Sequence, residues 1–163
     1  MFVPGNNPGM MADAHIYRPD SIMLDLEDSV TLAEKDAARW LVFNALQSVD
    51  YGQTEMVVRI NPLNTPFGRK DIDAVVRAGV HVVRMPKTET ADEVREVEAE
   101  IERVERQLGC VGRTQIMAAI ESDNFDAQAY QRFIARNVAL PAQGSCTQRV
   151  VEHVFSLMAQ AAR

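Results

Sequence analysis

The residues best suited to chemistry stand at the ends of short apolar runs. Asp25, Glu27 and Asp28 close the run Ser21-Ile-Met-Leu24, Arg59 sits between Val58 and Ile60, and Glu121 ends Ile116-Met-Ala-Ala-Ile120. A guanidinium in a strand buried on both sides needs an anion, either a substrate or one of the three acids. A carboxylate at the mouth of a sheet suits Mg2+, which takes one or two carboxylates together with water and substrate oxygens. The three acids also admit a plainer role. Strand alternation turns Asp25 and Glu27 to one face and Asp28 to the other, so all three share a site only if the strand ends near Glu27. Otherwise they are solvated acids at the positive end of the following helix. Lys87, after Met85-Pro86, either meets an anion or stays exposed. His15, His81 and His153 are isolated from other ligands and read as structural or surface residues, and Cys110 and Cys146 are too few and too far apart for a metal motif.

Alternating strands and helices must carry these strand ends. Phe2-Val3 is a short apolar segment closed by the turn formers Pro4 to Gly9, and Pro8 to about Tyr17 reads as a short helix with Met10, Met11 and Ala14 inward. Ser21 to Leu24 is the next strand. Thr31 with Glu34 suggests a capping box for a helix from about Leu32 to Leu46, with Ala37, Ala38, Leu41, Ala45 and Leu46 at helical spacing. Glu55 to Asn61 is a strand, Phe67 to Ala78 a helix stopped by Gly79, and Val80 to Lys87 a strand. Thr90 and Glu93 open the clearest helix, with Val94, Val97, Ile101, Val104 and Leu108 at intervals of three and four before Gly109. Gln115 to Glu121 is a fifth strand, Asn124 to Arg136 a weaker helix, Asn137 to Leu140 a short strand, and Thr147 to Arg163 a closing helix. Continuous apolar strands alternating with helices imply an α/β fold of parallel βα units, with the polar strand ends gathered on one face.

The chain has 163 residues, the length of one ordinary domain, and is read as a single domain over 1–163. A formal net charge of −6 with scattered basic residues argues against a nucleic-acid partner. No apolar run approaches the roughly 20 residues that span a bilayer, and the N-terminus has no signal-peptide pattern, so a soluble, cytoplasmic protein without a membrane partner is expected. Neither a dinucleotide-binding glycine motif nor a P-loop nor a serine nucleophile elbow is present.

Taken in order, Phe2-Val-Pro-Gly-Asn6, Leu24-Asp-Leu-Glu-Asp-Ser-Val30, Glu34-Lys35, Val58-Arg-Ile-Asn-Pro62, Met85-Pro-Lys87 and Ala119-Ile-Glu-Ser122 resemble the citrate lyase β-subunit (CitE-like) family of the HpcH/HpaI aldolase and citryl-CoA lyase group. The resemblance covers residues 1–122 and leaves 123–163 as a divergent C-terminal segment. It implies a TIM-barrel type of fold, here a partial barrel, since a full one takes about 250 residues. It also implies carbon–carbon lyase chemistry, in which a citryl thioester on an acyl carrier protein or coenzyme A is cleaved to an acetyl thioester and oxaloacetate with Mg2+. By matching motif, Arg59 corresponds to the arginine that binds the oxaloacetate carboxylates and Glu121 to the carboxylate that ligates Mg2+ beside the substrate. Glu27 and Asp28 correspond to acids of the same pocket, and Lys35 and Pro86 to substrate-binding positions that shape it. The run Gly-Ala-Glu-Asp, from which the family takes a second metal ligand, does not occur. A half-barrel exposes sheet edges, so a homo-oligomer, other citrate lyase subunits or the closing helix around Val150 to Ala161 is expected to cover it. The alternatives are a non-catalytic half-barrel that assembles with a complete lyase subunit, and another Mg2+-dependent 2-keto acid aldolase.

Overall fold

The computed structural model describes residues 1–120. Five strands, β1 (Phe2–Pro4), β2 (Ser21–Asp25), β3 (Glu55–Arg59), β4 (Val82–Thr88) and β5 (Gln115–Ile120), form one sheet in the order β1-β2-β3-β4-β5, and every pair is parallel. The helices between them are α1 (Pro8–Asp13), α2 (Lys35–Ser48), α3 (Gly68–Ala78) and α4 (Ala91–Leu108). Parallel crossovers are almost always right-handed, so a strand order that never reverses places successive helices on the same face of the sheet. A doubly wound sheet would reverse its order part-way. The expected βα units of barrel type are therefore present over the described residues. The segment 123–163, with its expected closing helix and sixth strand, and Glu121 lie outside them.

Alternation divides each strand between two faces. Ile22, Leu24, Met56, Val58, Val83 and Met85 pack with the helices in one continuous core that also takes in Ile72, Val75, Val94, Val97, Ile101 and Val104. On the opposite face one row of register partners runs Asp25, Arg59, Arg84, Met117. The polar groups of the strand ends thus share one layer on the face away from the helices.

Local signals explain most boundaries. In α4 the Thr90 hydroxyl accepts from the Glu93 amide and the Glu93 carboxylate accepts from the Thr90 amide, while Gly109 ends the helix at φ 71°. The box expected at Thr31 and Glu34 does not form. Glu34 instead accepts from the Thr31 hydroxyl at 2.8 Å and from Asn6 Nδ2 at 3.2 Å, so a 3-10 turn over Leu32–Glu34 precedes α2. Met10, expected inward, is 46% exposed, because α1 is only six residues long and tightens into a 3-10 turn at Ala14–Tyr17 that buries Met11 and Ala14 instead. In α2 it is Ala38 and Val42 that are buried, while Ala37 faces outward. Leu108, the last residue of α4, is 43% exposed. No helix among the described residues is long and apolar enough to cross a membrane.

Gly5 is held by close approach: its amide donates to Asp25 O at 2.8 Å, and a Cβ there would lie 2.5 Å from that same oxygen and 3.0 Å from side-chain atoms of Leu26 and Val42. Gly5→Ala is expected to cost about 1–3 kcal/mol in urea unfolding, since the backbone of β2 must move to admit the methyl. An unchanged midpoint would show that β1 can shift away from β2.

Candidate active site

Asp25 organises the site. Its carboxylate accepts from the Glu27 amide at 2.9 Å and from the Ser29 amide at 2.9 Å, which ends β2 at Asp25 and folds the chain back over itself. Strict alternation therefore stops before Glu27, and all three acids reach the same guanidinium. Arg59 Nε and Nη2 clamp Asp25 at 2.6 and 2.8 Å, and Nη1 lies 3.1 Å from Glu27 Oε2 and 3.4 Å from Asp28 Oδ2. The Phe2 ring covers the guanidinium at 5.0 Å. Asp25 and Glu27 are buried, whereas the Asp28 side chain is 60% exposed. Of the two partners open to Arg59 from its position in the chain, the acids hold it in this structure.

Burial pushes the Asp25 carboxyl up, but the hydrogen bonds from Arg59, Ser29 and Glu27 outweigh it and hold the group at about 2 instead of the usual 3.8. Because the folded value lies below the unfolded one, this stabilisation is present above about pH 4 and is lost as the pH falls toward 2; from the shift it amounts to roughly 2 kcal/mol. A carbon-13 titration of the Asp25 carboxyl should show a midpoint close to 2. A midpoint near 4 would mean that Arg59 does not close on it in solution.

Beneath the acids lies a second polar layer. Lys35 is buried, and its ammonium donates to Leu26 O at 2.7 Å and Glu27 O at 2.5 Å; burial lowers its pKa against the pull of Asp25, Asp71, Glu27 and Asp28. Lys35, expected at a substrate-binding position, is thus placed beneath the acids, where it fixes the main chain that carries them. Asn61 Nδ2 donates to Leu26 O at 2.9 Å and to Asp71 Oδ2 at 2.7 Å, and Asp71 Oδ1 accepts from Arg39 Nε at 2.6 Å. Arg39 and Asp71 do not stand out in the sequence, and Asn61 does so only as part of Val58-Arg-Ile-Asn-Pro62. The available signal was a charged Asp71 inside the apolar face of α3, next to Ile72.

Pro86 is buried in β4 and, with Ile60, Pro62, Met85, Lys87 and Val97, lines a cleft of about 430 Å3 beside the strand ends. Lys87 Nζ lies 3.2 Å from Glu27 Oε1 and 3.5 Å from Asp28 Oδ1, and Glu27 holds its pKa above the ordinary lysine value. Arg84, the register partner of Arg59, places another guanidinium in the same layer. His81 accepts from the Met56 amide at 2.9 Å through Nδ1, and His15 Nδ1 pairs with Ala12 O at 2.8 Å, both away from the acids.

Magnesium fits what is present. Glu27 and Asp28 offer hard carboxylate oxygens side by side, at the edge of the site where Asp28 is 60% exposed. Among the described residues no three His, Cys, Asp or Glu side chains cluster for a metal, so further ligands would have to come from elsewhere. Glu121, the expected ligand, lies outside the described residues.

The family model for HpcH/HpaI aldolase/citrate lyase matches residues 1–127. The chain is 60% identical over 123 residues to a citrate lyase subunit beta of Leuconostoc mesenteroides, covering 75% of this chain and 41% of that protein. It is 52% identical over 132 residues to the Haemophilus influenzae citrate lyase subunit beta, covering 80% and 45%. Among solved structures, a citrate lyase beta subunit from M. tuberculosis complexed with oxaloacetate and magnesium matches with a TM-score of 0.56 and 31% identity, over 76% of this chain and 47% of that one. The chain therefore spans under half the length of these relatives.

Proposed function

Because the chain belongs to the HpcH/HpaI aldolase/citrate lyase family, we propose that it serves a carbon–carbon lyase reaction in which a citryl thioester, on an acyl carrier protein or coenzyme A, is cleaved to an acetyl thioester and oxaloacetate. The observation that carries this reading is the convergence of Asp25, Glu27, Asp28, Arg59 and Lys87, from three strand ends, on one small polar site. Arg59 binds a carboxylate of the keto acid product, using the Nη1 edge that faces Glu27 and Asp28. Asp25 keeps that guanidinium aimed through its two-point clamp. The cleavage takes a proton from the citryl hydroxyl, and the Glu27 carboxylate, held between Arg59 and Lys87, is placed to receive it. The carbon–carbon bond then breaks to give the thioester enolate and the ketone of oxaloacetate, and the proton taken up by Glu27 balances the one delivered to the enolate carbon to complete the acetyl group.

The three carboxylates of Asp25, Glu27 and Asp28 face Arg59 and Lys87, with Lys35 beneath them and Arg84 in the same layer. Magnesium, held by Glu121 with Glu27 or Asp28, would polarise the keto oxygen. Lys35 and Pro86 hold the pocket's floor and wall. On the outer helices Trp40 is 59% exposed and packs edge-on to Phe43 at 5.6 Å, which supports a surface for assembly, with further copies or with other citrate lyase subunits, in the cytoplasm.

The test is release of oxaloacetate from citryl-CoA by the full chain, with and without Mg2+, compared with Glu121→Ala. Mg2+-dependent release that is lost in the variant is expected. No release by the wild type would discard the lyase reading in favour of a half-barrel that acts only by assembly. Malyl-CoA as substrate separates the citryl reading from that of another keto acid aldolase.

A further inference from the structure

Lys87 should not point where it does. Arg84 faces the polar layer, so three residues on, strict alternation turns position 87 to the helix side with Met85. The ladder between β4 and β5 instead pairs Met85 with Ala118 and Thr88 with Ile120, which sets three steps on β4 against two on β5. That extra residue is a β-bulge, and Lys87 takes up the irregularity at φ 44°, the left-handed region that non-glycine side chains avoid. The consequence is a lysine carried across the end of β3 to Glu27 and Asp28 on the far side of Arg59. Each of these carboxylates then touches two cations, Arg59 through one oxygen and Lys87 through the other.

Stability alone does not account for this arrangement. The Lys87 side chain is 55% exposed, so its pairs with the 60% exposed Asp28 and the 7% exposed Glu27 are screened by water on the ammonium side and return less than a fully buried pair for ordering a long side chain. Glycine would satisfy the same backbone without strain. Strain kept where the ammonium stays open to solvent points to a use for the side chain. A second observation lies at the same place: Glu27 Oε2 faces Arg59 Nη1 at 3.1 Å while Oε1 faces Lys87 Nζ at 3.2 Å, so the buried carboxylate keeps a cation when Lys87 turns to a ligand.

We infer that Lys87 is a substrate-binding and specificity-determining residue: it leaves Glu27 and Asp28 to pair with the second carboxylate of a dicarboxylate keto acid whose first carboxylate is held by Arg59. This rests on the lyase reading above and extends it by assigning the distal carboxylate. The exchange of one carboxylate partner for another keeps the ammonium paired throughout, so it makes no new demand for desolvation. It also predicts discrimination by charge, since a keto acid lacking the second carboxylate gains nothing from Lys87.

Oxaloacetate and pyruvate differ by that one carboxylate and make the test. Binding of each to the full chain, with Mg2+ present, is measured by calorimetry for the wild type, Lys87→Gly and Lys87→Asn. Both substitutes accept a left-handed backbone, so folding is preserved, and Lys87→Gly should unfold at a denaturant midpoint no lower than the wild type. The expected result is a loss of oxaloacetate affinity of about tenfold or more, the scale of one charge-assisted contact, with pyruvate affinity unchanged. Equal losses for both ligands would show that Lys87 acts only by setting Glu27 and Asp28, and would overturn the assignment, as would no loss at all. A lower midpoint for Lys87→Gly would overturn the strain on which it stands. A wild type that binds pyruvate and oxaloacetate equally would refute the role of Lys87 but leave the lyase reading, whereas a wild type that binds neither would refute both.

Discussion

Arg59→Ala is expected to lower stability by about 3–5 kcal/mol, the scale seen when one partner of a buried ion pair is removed. The cost comes from Asp25, which is fully buried and loses both arms of its clamp while keeping only the Glu27 and Ser29 donors. Without the guanidinium, burial becomes the dominant influence on that carboxyl, so its pKa should move from about 2 toward or above the unfolded value. The variant would then be least stable near neutral pH relative to the wild type and would recover part of the difference in acid. Urea unfolding at pH 7 and pH 4 measures both effects. Arg59→Lys should fall between, since an ammonium keeps the charge but cannot make two parallel bonds. A loss under about 1 kcal/mol for Arg59→Ala would show that water replaces the guanidinium and that Arg59 is held for ligand alone.

Asp71→Ala should be comparably damaging, at about 3–5 kcal/mol, although Asp71 touches no part of the proposed substrate site. It accepts from Arg39 Nε and from both the amide and the side chain of Asn61, and its removal leaves three buried donors short of an acceptor. Arg39 retains only the exposed Asp36. Asn61, no longer fixed, loosens its hold on Leu26 O, the main-chain group immediately before Glu27. Oxaloacetate affinity is therefore expected to fall together with stability. Adding Arg39→Met should recover some stability, because the uncompensated buried charge is removed, but not ligand affinity, because Asn61 still lacks its acceptor. Recovery of both would show that Asp71 supports the core and has no part in positioning the acids.

Periodicity made the fold legible. Strands that stay apolar on both faces and helices with apolar residues three and four apart appear in the structure within a few residues of their expected limits, and Gly79 and Gly109 stop α3 and α4 as their freedom at positive φ dictates. The misread details are those where a local signal met a tertiary competitor. Thr31 and Glu34 have the residues of a capping box, but Asn6 from another loop binds the same carboxylate. Met10 has helical spacing, but the helix ends before its turn can face the core.

For the site, residue type and position at strand ends were enough to single out Asp25, Glu27, Asp28 and Arg59, because βα units carry them to the same rim whatever the packing details, whereas Pro86 came only from the family resemblance. Their partners were not legible. Whether Arg59 faces a ligand or an acid depends on where β2 stops, and β2 stops where the Asp25 carboxylate captures two amides a few residues on. Lys35 stands at a helix start, and carbonyls from the neighbouring loop draw it inward, a partnership that no spacing in the sequence marks. Lys87 is exposed and meets an anion at once, and the mismatch in step between β4 and β5, which no spacing in the sequence marks, turns it toward Glu27 and Asp28. The sequence by itself determined the order of βα units and the residues delivered to their ends, since these follow from local spacing. Which charge meets which was decided by the tertiary structure, because an ion pair is set by distances of a few ångströms between groups about 30 or 60 positions apart, and a single extra residue in one strand reverses the direction of a side chain.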